Sequence, residues 1–135
     1  MIVDAPAIVV SHLTAESAIT AIVGQRVTDT TPDSLDKAWV RVQLLQAPQA
    51  ENVPFDYLVP FTFQFDCYAG RNETQVEANL LGRIVRASLN EMPFTTHENA
   101  VVTAVRHISF RPLVDVDIKP ARDRYVLLST VTAHS

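Results

Sequence analysis

Residues 61–68 read Phe-Thr-Phe-Gln-Phe-Asp-Cys-Tyr. Phe61, Phe63, Phe65 and Cys67 alternate with Thr62, Gln64, Asp66 and Tyr68. A repeat of two places these sets on opposite sides of an extended chain. Leu58–Ala69 is therefore predicted as a strand whose aromatic side enters a core. Such a face must be covered, and amphipathic helices packed on one side of a sheet do this.

Two helices have the required pattern. Asp4-Ala5-Pro6 reads as a helix start, with Asp as the cap and Pro in the first turn, where its missing N–H is not needed. Ile8, Val9, Ala15, Ile19, Ile22 and Val23 then share one broad face, and Gly24 supplies a stop. This predicts a helix over Ala5–Val23, although the β-branched run in residues 7–10 also allows an extended start. Thr74-Gln75-Val76-Glu77 has the form of a capping box. It opens a helix to about Glu91, stopped by Pro93. One side of this helix carries Val76, Leu80, Leu81, Ile84, Val85 and Ala87; the other carries Gln75, Asn79, Arg83, Arg86 and Asn90. Gly82 lies inside it at a cost of about 1 kcal/mol relative to Ala, which leaves open whether another group approaches there.

The remaining segments read as strands and loops. Residues 25–28 fit a short strand. Ala38–Gln46 alternates Val40, Val42 and Leu44 against Trp39, Arg41, Gln43 and Leu45. Ala100–Phe110 sets Val102, Ala104, Ile108 and Phe110 against Val101, Thr103, Val105 and His107. Arg124–Ala133 is the last strand. Two long connections lack a period: 47–57, with two prolines, and 111–123, charged and also with two prolines. Loops of that length in a compact domain often carry function.

The expected fold is a single α+β domain over residues 1–135, with order α-β-β-β-α-β-β. A mostly antiparallel (mixed) sheet of about five strands has two helices on one face. Strands joined without a helix are expected to pair antiparallel. Trp39/Val40, Val101/Val102 and Tyr125/Val126 put apolar groups on both sides of their strands, which marks an interaction surface.

Composition narrows the function. The 135 residues are 47% hydrophobic and 19% charged, with formal net charge −4. That suits a packed core and lacks the basic stripe of a free-standing nucleic-acid binder. One cysteine rules out an intrachain disulfide. The N-terminus lacks the basic region of a signal peptide, and no apolar run has membrane-span length. The expected location is the cytosol or an assembly built there.

No catalytic, cofactor or metal constellation is legible. His12, His97, His107 and His134 are scattered, without a second His at helical spacing after His97-Glu98. His12 falls in the apolar arc of the first helix and reads as half-buried with one partner. Cys67 sits on the aromatic side of its strand, where a small buried group fits. Three glycines in all offer no phosphate loop. Asp115 and Asp117, two apart, fit either a cation or acid–base pair or a charged segment that keeps an edge soluble.

The chain resembles the tail terminator (tail-completion) proteins of long-tailed bacteriophages. The likeness rests on Ile22-Val23-Gly24-Gln25-Arg26-Val27 closing an N-terminal helix, a Pro-containing loop, and Ala38-Trp39-Val40-Arg41-Val42. It continues through the strand Phe61–Ala69, the helix with Glu77-Ala78-Asn79-Leu80-Leu81, and a final strand, charged stretch and strand. The resemblance implies a non-enzymatic virion part without cofactor. It would form a ring, usually a hexamer, on the head-proximal end of the tail tube. The ring would stop tube polymerisation and meet the head connector, and DNA would pass through it without specific binding. Under that reading Pro48, Glu51, Asn52, Pro54, Phe55, Asp56 and Tyr57 dock onto the major tail-tube protein or the next subunit. Arg71, Arg83 and Arg86 pair between subunits, and Asp115, Asp117 and Asp123 face the lumen or a ring face. Two alternatives stay open: another neck protein such as a head–tail connector, and a small dimeric α+β enzyme or ligand-binding domain with a site around Asp66, Tyr68 and His107.

Overall fold

The computed structural model describes residues 4–30, 36–46, 58–115 and 122–134. Three helices, α1 (Ala5–Thr14), α2 (Ser17–Val23) and α3 (Gln75–Asn90), pack on one face of a six-stranded sheet. The strands are β1 (Val27–Thr28), β2 (Trp39–Gln46), β3 (Val59–Tyr68), β4 (Thr96–His97), β5 (Ala100–Asp115) and β6 (Arg122–His134). Their order across the sheet is β1-β2-β3-β6-β5-β4. The α+β class and the mixed sheet agree with expectation; β4 and a third helix are additional.

The single N-terminal helix is replaced by two. Glu16 takes an extended conformation and caps α2, its Oε1 accepting from Ala18 N at 3.4 Å. The Thr14 hydroxyl donates back to the Val10 carbonyl at 2.7 Å. The two helices bend by 88° at this break. The bend lets Ile8, Val9 and Leu13 from α1 and Ile19 and Val23 from α2 all reach one core.

β1 also departs from expectation by pairing parallel to β2. Arg26 fixes it. Its carbonyl accepts from Val40 N at 2.9 Å, and its guanidinium donates to the carbonyls of Ala38 (2.9 Å) and Ile22 (3.3 Å). The side chain thus ties the end of α2 to the start of β2. The other pairings are antiparallel.

β3 is the centre of the core. Phe61, Phe63, Phe65 and Cys67 are buried facing the helices, as their alternation requires. β6 pairs with β3 from Ala133 to Arg124 and with β5 on its other side. β5 runs to Asp115 and β6 starts at Arg122, so much of the region read as a 111–123 loop is a long hairpin. Among the described residues, β5 has no outer strand partner beyond its short pairing with β4, and an edge position of that kind tolerates Pro112.

The alternation expected for β5 fails. Register shifts between Val102 and Ala104 and between His107 and Ser109 each insert a residue. Each bulge reverses which side the following residues face. Val102, Val105, His107 and Phe110 consequently face the helices, opposite Ala133, Val131, Ser129 and Leu127. Ile108, expected beside Val102, is exposed.

Candidate assembly surfaces

The face of the sheet away from the helices holds a buried ionic cluster. Asp66 is 0% exposed. Its Oδ2 accepts from Arg41 Nη2 at 3.1 Å and Nε at 3.2 Å, and its Oδ1 accepts from Arg124 Nη1 at 3.2 Å and Gln64 Nε2 at 3.0 Å. Arg124 Nη1 also donates to the Tyr68 hydroxyl at 3.0 Å, and Tyr68 stacks on Trp39 at 4.2 Å. Cross-strand register explains the grouping: Trp39, Tyr68 and Arg124 lie in one row across β2, β3 and β6, and Arg41, Asp66 and Val126 lie in another. A buried carboxylate between two arginines holds three strands in register.

The helix side carries two histidine networks. His12 Nε2 donates to the Ser88 carbonyl at 2.8 Å, which leaves Nδ1 to accept from His97 Nε2 at 3.2 Å. His12 thus has two partners where the sequence suggested one. His107 contacts Ser129 Oγ (2.7 Å) through Nδ1 and Asn90 Oδ1 (2.8 Å) through Nε2. Asp66 and Tyr68 lie on one side of the sheet and His107 on the other, so one chain does not bring the three together. Burial pushes the Cys67 thiol far up, and Asp66 adds to it; that thiol is no nucleophile.

The candidate contact residues are dispersed. Arg71 sits 3.5 Å from Asp36, both exposed. Arg83 donates to Asn79 at 2.8 Å along α3. Arg86 is exposed on the same helix. Asp123 is half-buried near the start of β6, its carbonyl accepting from Ala69 N at 2.9 Å. Asp115 closes β5 with its Cα opposite Arg122. Pro48, Glu51, Asn52, Pro54, Phe55, Asp56, Tyr57 and Asp117 lie outside the described residues.

Some exposed apolar positions were not legible from sequence. Leu44, Leu45 and Leu58 are exposed at the two ends that flank residues 47–57. Val76 (72% exposed) and Leu80 lie on the outer side of α3, because its buried side is Ala78, Leu81, Gly82, Val85, Ser88 and Leu89. The apolar arc of α3 is wider than the core uses, so half the predicted inner face is solvent-facing. Phe94 is 86% exposed with φ +69°, a conformation an aromatic residue rarely adopts. Only the nearby Pro93 hinted at a turn there.

The described surface thus carries exposed apolar side chains, while the buried ionic cluster holds strands in register. The chain matches the tail completion protein gp17 family over residues 7–126 and belongs to it. It is therefore a structural component of a phage-type virion tail. Its fold is shared with a chain in the structure of the virion of a native gene transfer agent (GTA) particle. That similarity has a TM-score of 0.70 and 16% identity, and covers 96% of this chain and 94% of the other. No curated protein sequence matches it significantly.

Proposed function

We propose that this protein closes the head-proximal end of a tail tube as a ring, a hexamer by the family resemblance. The ring stops tube polymerisation and joins the tail to the head connector. Membership of the tail completion family carries the reading. Two features of the subunit support it. Among the described residues, β2 beyond Arg41 and β5 beyond Val101 lack a strand on their outer sides. The subunit therefore has two different uncovered edges, and a head-to-tail contact that closes on itself needs two different surfaces.

In this reading residues 47–57 dock on the tube protein or the next subunit, flanked by the exposed Leu44, Leu45 and Leu58. Arg83 and Arg86 are exposed for pairing with a neighbour, and Arg71 exchanges its loose Asp36 contact for one. Asp115, Asp117 and Asp123 give an acidic lining from which DNA slides. Deleting the gene from a particle-producing strain tests this. Overlong tubes and tailless heads are expected. Normal tails joined to heads would overturn it.

A further inference from the structure

A groove of about 240 Å³ lies where α2 starts and α3 ends, lined by Glu16, Ala18, Ile84, Ala87, Ser88 and Glu91. Its floor is aliphatic and two carboxylates flank it. Ser88 is 3% exposed and its hydroxyl has no hydrogen-bond partner, which is unusual for a buried polar group. The last turn of α3 contains no basic residue that would neutralise the two carboxylates. An aliphatic floor, two carboxylates and an unpartnered hydroxyl together suit an aliphatic side chain followed by a cation.

The chain presents that pair itself. Arg111 and Leu113 are exposed on β5, and both face away from the helices, opposite Val126 and Arg124. Two residues apart on a strand, they are separated by about 7 Å. No carboxylate of a described residue pairs with Arg111. The sheet separates them from the groove of their own chain, so only another copy can bring them together.

We infer that the α2–α3 groove receives the β5–β6 hairpin of a second copy, with Leu113 on Ile84 and Ala87 and Arg111 between Glu16 and Glu91. This rests on the ring reading and names its contact: a heterologous one, hairpin of one copy into groove of the next.

Cysteine cross-linking tests it, since Cys67 is buried and silent. Ala87→Cys and Leu113→Cys proteins, mixed and oxidised, are expected to form heterodimers at least tenfold more than either alone. Arg111→Glu in the Leu113→Cys protein is expected to cut that yield at least tenfold, and Glu91→Arg in its Ala87→Cys partner to restore it. Absence of heterodimers, or only Ala87–Ala87 dimers, would overturn the inference. Rings seen by electron microscopy without the cross-link would leave the ring reading standing and remove this contact. A double-cysteine chain that cross-links into open ladders and never closes would do the reverse.

Discussion

Gly82 of α3 lies directly against Phe110 of β5: a Cβ at position 82 would stand 2.6 Å from the Phe110 ring and 3.3 Å from the Cβ of Tyr125. Phe110 and Tyr125 are themselves in ring contact at 4.7 Å. The helix accepts a glycine, at about 1 kcal/mol of propensity, so that it can approach the long hairpin. Gly82→Ala is expected to lower stability by about 1–2 kcal/mol despite the better helix former, because overpacking outweighs propensity. Urea unfolding measures it. Combining it with Phe110→Leu should recover most of the loss, the signature of a shared contact.

Asp66 is the second point of register. Asp66→Ala leaves Arg124 and Arg41 facing each other with no carboxylate between them. Breaking a buried pair by removing one partner costs about 3–5 kcal/mol. Arg41→Ala is expected to cost less, since that side chain is 25% exposed and partly solvated. Equal losses for the two variants in urea unfolding would contradict this description of the cluster.

Stability should fall in mild acid. Burial lowers the pKa of His97, with His12 adding to it, and burial lowers that of His107, with Arg86 adding to it. The unfolded chain therefore takes up protons before the folded one does. The stabilisation is complete above the ordinary histidine value of 6.5 and is lost as pH falls toward the depressed folded values. Thermal melts from pH 8 to pH 5 should show Tm dropping below about pH 6.5. His97→Asn together with His107→Asn should flatten the profile; an unchanged slope would contradict it.

Phe94 combines a left-handed backbone with an exposed ring. Its left-handed backbone costs about 1 kcal/mol that glycine would not incur, and its ring is almost wholly exposed. Phe94→Gly is expected to raise Tm while weakening attachment to tails in a binding assay. A variant that lowers Tm would mean the ring stabilises the free subunit.

Much of this architecture was written locally. The alternation of Phe61, Phe63, Phe65 and Cys67 located the central strand, and the Thr74–Glu77 capping box placed the start of α3. What failed depended on distant partners. The two bulges in β5 exist only against β6 and reversed a pattern that looked regular. The N-terminal helix broke because its two halves serve one core from different directions. The hairpin past Arg111 was hidden by Pro112, which an edge strand tolerates. The outer arc of α3 was read as core because periodicity reports how much of a helix is apolar, while neighbouring elements decide how much is covered. The chemistry of the groove was invisible for the same reason: Glu16 and Glu91 are far apart in sequence and meet only through α2 and α3.

The central claim is that this chain is the closing ring of a tail tube. Electron microscopy of tubes grown from the major tail-tube protein with and without this protein tests it most directly. The account predicts a closed ring at one end only, with growth arrested at that end. Tubes that keep growing at both ends, with no added density at either, would contradict it.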